Sequence, residues 1–131
     1  MPGYRDLDYD VVVVGAGVTG LYQLHCLRKL GFRVRVLEAG SDVGGTWYWN
    51  RYPGCRFDSE SYSYSYSFSQ ELLNEWDWTE HFSAQPQTER YLQFVADKFD
   101  LRKDIQFSCR GASTVFDEEH SCWEITVEGG A

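Results

Sequence analysis

A chain of 131 residues, 43% hydrophobic and 24% charged, falls in the single-domain range of globular proteins and can bury a core of its own. Its formal net charge of −8 argues against nucleic acid or an anionic membrane as partner, so an anionic ligand has to be held by local backbone dipoles. The cysteines Cys26, Cys55, Cys109 and Cys122 form no close pair and read as small hydrophobes in a reducing compartment, so no metal site is expected. The opening Met1-Pro2-Gly3-Tyr4-Arg5-Asp6 carries acid where a signal peptide carries base. The only apolar run is four valines, too short to span a bilayer, and the chain reads as cytoplasmic and free of membranes.

In chain order, Asp10-Val11-Val12-Val13-Val14 has the composition of a strand buried on both faces. Gly15-Ala16-Gly17-Val18-Thr19-Gly20 follows, and then Leu21, Leu24, Leu27 and Leu30 recur at helical spacing, with Gly31 placed to stop the helix. Strand, glycine turn and helix form a dinucleotide-binding fingerprint. Gly15 permits the sharp turn, Gly17 lets backbone approach a diphosphate, and Gly20 lets helix and strand pack closely. The helix start offers unpaired N–H groups and partial positive charge. Arg33-Val34-Arg35-Val36-Leu37 alternates as a second strand and ends at Glu38, whose carboxylate is spaced to accept a ribose hydroxyl and to repel a 2′-phosphate; FAD or NAD is favoured over NADP here.

Residues 39–58 read as an ordered loop rich in Gly, Trp, Tyr and Pro. In Ser61-Tyr62-Ser63-Tyr64-Ser65-Tyr66-Ser67-Phe68 the period of two puts the four aromatic residues on one face of an extended segment. Gln70 to Trp76 reads as a short helix with Ser69 as cap, and Thr88 as the cap of a longer helix with Leu92, Val95 and Phe99 in one stripe beside Tyr91. Asp104-Ile105-Gln106-Phe107 is expected as a third parallel strand, and Ser113–Phe116 with Cys122–Val127 as a hairpin. The fold class is α/β: a Rossmann-like FAD-binding domain whose parallel sheet is incomplete and carries a β-hairpin or meander insertion. An incomplete sheet leaves an open edge, through which association is expected.

The glycine fingerprint alone does not separate NAD from FAD, but the Gly44-Gly45 pair shortly after Glu38 looks like the FAD domain of flavoproteins with two dinucleotide-binding domains. Gly44-Gly45-Thr46-Trp47-Tyr48-Trp49-Asn50-Arg51-Tyr52-Pro53-Gly54, followed by Arg56-Phe57-Asp58, resembles the Baeyer–Villiger monooxygenases. The resemblance continues through Tyr64, Glu75-Trp76, Gln85-Pro86 and Tyr91 to Arg102, nearly the whole chain. It implies that residues 1–131 are an N-terminal portion of the FAD-binding domain, with the NADP domain and the closing FAD segment absent. It implies FAD as cofactor, NADPH as co-substrate, and a small ketone and O2 as substrates of the complete enzyme, with this portion inactive alone.

By the same resemblance Gly15, Gly17, Val18, Thr19 and Gly20 match the phosphate turn and Glu38 the ribose acceptor. Gly45, Thr46, Trp47 and Trp49 match the loop around diphosphate and flavin, with core packing the competing role for one of the tryptophans. Tyr64 matches an aromatic neighbour of the flavin. Asp58 matches the acid that orients a catalytic Arg absent from this chain, and Arg56 with Asp58 matches the NADP-facing end. Gly111 stands where a Val usually meets the adenine through its backbone. The competing functions are an N- or S-oxygenating flavin monooxygenase and a non-catalytic dinucleotide-binding module. His25, His81 and His120 have no partner motif and read as structural or surface residues.

Overall fold

The computed structural model describes residues 6–129; the expectation resting on Met1–Arg5 lies outside them. The strand β1, Val11–Val14, pairs in parallel with β2, Val34–Leu37, in the register Val11↔Val34 to Val14↔Leu37. Between them runs α1, Val18–Lys29. Leu21 and Leu24 are buried and Leu27 packs against the core, but Leu30 is 72% exposed because it has become the helix's C-cap. Gly31, at φ +87°, takes the left-handed position that ends the helix. Arg28 does more than complement the helix dipole: its guanidinium binds the carbonyls of Phe99 and Asp100 and the Asp104 carboxylate. The third strand, β3, is reduced to Ile105–Gln106 after a 3-10 turn, and pairs in parallel with β2, giving the order β1-β2-β3.

The valine run is not buried on both faces. Val13 is buried against α1, while Val14 is 70% exposed, because β1 is the edge of the sheet. The other face is roofed only in part by the hairpin of β4, Gly111–Asp117, and β5, Cys122–Val127, which leaves a cleft of about 620 Å³ over Val12, Arg35 and Leu37.

Three local expectations are corrected. The loop 39–58 contains one helical turn, α2, Thr46–Trp49. The Ser/Tyr run is not extended throughout: Ser61–Tyr64 is a helical turn, α3, and Tyr62 is 71% exposed. Serines close that turn, since the Ser61 hydroxyl donates to the Glu80 and His81 carbonyls and the Ser63 hydroxyl to that of Glu60. One local serine bond and two to distant carbonyls thus override the period-two pattern. Tyr64, which ends that turn, and Tyr66 and Phe68 beyond it pack against the core. Ser69 does cap α4, Gln70–Glu75, by accepting from the Leu72 N–H at 3.1 Å. The long helix α5, Gln85–Lys98, starts three residues before Thr88, with Ala84 as N-cap and Pro86 in its first turn. Its Tyr91, Leu92, Val95 and Ala96 complete the core with Leu21, Leu24 and Val36.

Candidate functional site: two interlocked glycine turns

The turn after β1 and the turn before α2 touch backbone to backbone. A Cβ built on Gly17 lies 3.2 Å from the Gly45 Cα, and one built on Gly45 lies 2.8 Å from the Gly17 Cα. The Gly44 N–H donates to the Ala16 carbonyl at 3.0 Å, and Gly15 adopts φ +97°. Gly20 is the tightest position, because its Cβ would stand 1.9 Å from the Gly15 carbonyl oxygen. Helix α1 therefore rests on the turn itself, and only glycine fits.

Glu38 closes the arrangement. Its Oε2 accepts the Ala16 N–H at 2.6 Å and its Oε1 the Gly40 N–H at 2.8 Å, and the residue is 4% exposed. The carboxylate is thus beside the first turn, as the spacing requires. The N–H groups of Gly17, Val18, Thr19 and Gly20 have no acceptor among the described residues, nor do those of Gly45 and Thr46. These two sets of donors, one of them at the positive end of a three-turn helix, can take an anion without any basic side chain.

The structure separates the two tryptophans. Trp47 is 5% exposed, donates its indole N–H to the Tyr64 hydroxyl at 2.8 Å and meets Phe57 and Tyr64 edge-on. Trp49 is 56% exposed. Tyr64 stacks on Phe57 with centroids 4.2 Å apart. Tyr66, whose phenol is pushed up by burial, donates to the Val18 carbonyl in the first turn of α1, and its own N–H is accepted by the Tyr91 hydroxyl at 2.9 Å.

Asp58 and Arg56 are not in the glycine cluster. They line a surface hollow with Phe57, Glu80, His81 and Phe82. The Arg56 guanidinium is held by the Phe82 carbonyl at 2.7 Å and the Glu80 carboxylate at 3.1 Å, whereas Asp58 is exposed and has no partner among the described residues. Gly111 opens β4, two residues past Cys109, whose N–H donates to the Glu38 carbonyl. Sequence reasoning missed Gln85 and Glu89, which the structure buries against α2; the available signal was their i,i+4 spacing at the start of an amphipathic helix.

Residues 13–76 match the family described as an NAD(P)-binding Rossmann-like domain. Acetone monooxygenase (methyl acetate-forming) of Gordonia sp. (strain TY-5) is 50% identical over 121 residues, which are 92% of this chain and 23% of that protein. Phenazine N-monooxygenase PhzNO1 of Lysobacter antibioticus is 48% identical over 123 residues, 93% of this chain and 23% of that protein. The solved structure of an oxidized steroid monooxygenase bound to NADP superposes with a TM-score of 0.92 at 56% identity, covering 94% of this chain and 24% of its own. A further solved neighbour is a complex with FAD and NADP. The chain spans about a quarter of the length of these relatives. Likeness in sequence over more than nine-tenths of its residues, together with a shared fold, makes this chain similar to about a quarter of the length of the Baeyer–Villiger and related monooxygenases.

Proposed function

We propose that the chain is the FAD-binding portion of an NADPH- and O2-dependent monooxygenase that converts ketones to esters or lactones, and that it does not oxygenate by itself. The observation that carries this reading is the cradle of unpartnered amides at residues 17–20 and 45–46 with the Glu38 carboxylate beside it. That donor set suits a diphosphate flanked by a ribose. The amides bind the diphosphate oxygens. Each Glu38 oxygen accepts one backbone N–H and keeps a lone pair for a sugar hydroxyl. Exposed Trp49 supplies an aromatic face for the flavin, while Trp47 and Tyr64 hold the loop from beneath. Gly111 offers its backbone to the adenine.

Bound FAD supplies the redox chemistry that NADPH and O2 drive. Asp58, exposed and without a partner among the described residues, orients a guanidinium from outside this chain, and with Arg56 it meets the NADP end. The structure supports this role for Asp58 by leaving its carboxylate accessible, and Arg56, already engaged by Glu80, adds fixed positive charge nearby. Three buried free cysteines support the reading of a reducing, cytoplasmic setting. Among the described residues no helix is long and apolar enough to cross a membrane.

The test is a titration of the 131-residue chain with FAD and with FMN, followed by flavin fluorescence. FAD binding that Glu38→Ala weakens, with FMN bound far less well, is the expected outcome, and no NADPH is consumed when ketone is added. Equal binding of FMN and FAD, or no effect of Glu38→Ala, overturns it. A second reading, oxygenation at nitrogen, is favoured by the phenazine N-monooxygenase at 48% identity. Product analysis of the full-length protein, offered a ketone and a nitrogen heteroaromatic in turn, separates the two.

A further inference from the structure

Helix α2 is a single turn, and one turn does not support itself, because nucleation fixes several dihedral angles for very few hydrogen bonds. Its support comes at the carbonyl end. The Thr46 carbonyl accepts from the backbone and side-chain N–H groups of Asn50, both at 2.9 Å. The Tyr48 carbonyl accepts from Arg51 Nε at 2.8 Å, and the Trp47 carbonyl accepts from Gln85 Nε2. Gln85 is 6% exposed, and the same Nε2 donates to Glu89 Oε2 at 2.9 Å. The other oxygen of Glu89, a residue 8% exposed, meets the Arg51 guanidinium at 2.6 Å. The Gln85 backbone N–H is anchored on the Cys55 carbonyl at 2.8 Å. A closed ring therefore runs from the Trp47 carbonyl through Gln85, Glu89 and Arg51 back to the Tyr48 carbonyl.

We propose that Gln85, Glu89 and Arg51 are positioning residues that set the Gly45 and Thr46 amides for the diphosphate of FAD, an inference that rests on the FAD reading above. The contact they defend has no slack. Gly45 sits at φ +54° against the Gly17 Cα, so a shift of α2 by a few tenths of an ångström opens or crushes the junction of the two turns. None of the three residues needs to touch the cofactor. Packing of α5 onto the sheet would be served as well by apolar side chains at 85 and 89, and burying a glutamine and a glutamate there costs stability unless their geometry is used.

The experiment measures amide hydrogen exchange in the ligand-free 131-residue chain and FAD affinity in parallel, for wild type, Gln85→Leu, Glu89→Gln and Arg51→Lys. Gln85→Leu is expected to speed exchange at Tyr48, Trp49 and Asn50 by about tenfold, the loss of one buried hydrogen bond, and to weaken FAD by a similar factor. Exchange at Val36 and Leu92 stays unchanged. Glu89→Gln and Arg51→Lys each break one link of the ring at nearly constant volume and are expected to give the same pattern at roughly threefold, so the proposal is decided even where Gln85→Leu fails to fold. Unchanged exchange at α2, or a rise shared equally by α5 and the sheet, overturns it. Absence of FAD binding in the wild type refutes the cofactor reading, while exchange at α2 still decides whether the ring holds the turn.

Discussion

Gly20→Ala sets two physical effects against each other. By helix propensity, alanine within the first turn of α1 should stabilise by about 1 kcal/mol over glycine. Against this, the new Cβ would lie 1.9 Å from the Gly15 carbonyl oxygen and 2.9 Å from its carbon. Carbon–oxygen contacts settle near ~3.3 Å, so the turn and the helix must separate by more than an ångström. Both partners are backbone and no rotamer change relieves them, so the cost sits at the upper end of the overpacking range, about 3 kcal/mol or more. The net expectation is a destabilisation of about 2 kcal/mol, read as a lowered urea midpoint at unchanged slope. Gly31→Ala is the control: at φ +87° with nothing within 4 Å, it carries only the left-handed penalty of about 1 kcal/mol. FAD binding is lost in Gly20→Ala and retained in Gly31→Ala. A Gly20→Ala midpoint at or above wild type refutes the close-contact argument outright.

Trp47→Phe removes the indole bond to Tyr64 and should cost about 2 kcal/mol in urea melts, whereas Trp49→Ala stays within about 0.5 kcal/mol and alters only the spectrum of bound flavin. Glu38→Gln turns an NH2 toward one of two backbone N–H groups and should destabilise the ligand-free chain by about 2 kcal/mol, which a melt without FAD detects. His25 is held below its usual pKa of 6.5 by burial and by the charges of Lys29 and Arg28. The unfolded chain therefore binds the proton first, so stability is complete above about pH 6.5 and falls as pH drops through that value toward the lower folded pKa. His25→Gln should flatten that slope, and a proton NMR titration at or above 6.5 contradicts it. The β1 edge, with Val14 70% exposed, should drive concentration-dependent association in sedimentation velocity that Val14→Lys reduces; a wild-type chain that stays monomeric at every loading counts against it.

The geometry of the glycine turn was legible because it is set by the backbone. Gly15 is favoured by its φ of +97° and Gly20 is demanded by contact distance, while Gly17 makes a tight approach to the Gly45 Cα. Glu38 was legible by its distance along the chain. The hairpin and Ser69 cap followed from alternation and local hydrogen bonding. What escaped was set by tertiary context. Nothing local tells that Trp47 turns inward while Trp49, two residues on, turns outward, since one helical turn spreads them over different faces. The Ser/Tyr run misled because serine hydroxyls satisfy main-chain carbonyls of the distant residues Glu80 and His81. The helical start at Gln85 was displaced to Thr88 because Thr88 has a cap's side chain but spends it on the Ala84 carbonyl from within the helix.

The placement of Glu38 accounts for how a chain of net charge −8 can build the proposed anion site. A carboxylate beside a diphosphate should repel it, yet both Glu38 oxygens are already engaged by the Ala16 and Gly40 amides, so part of its charge is neutralised locally by dipoles. The same bond pins Ala16, whose carbonyl accepts the Gly44 N–H and thereby fixes the second turn against the first. One acidic side chain thus holds the two donor sets in register before any ligand arrives. The remaining amides at residues 17–20 and 45–46 have no acceptor among the described residues, and donors fixed in advance can take an anion without the reorganisation that flexible lysines would require.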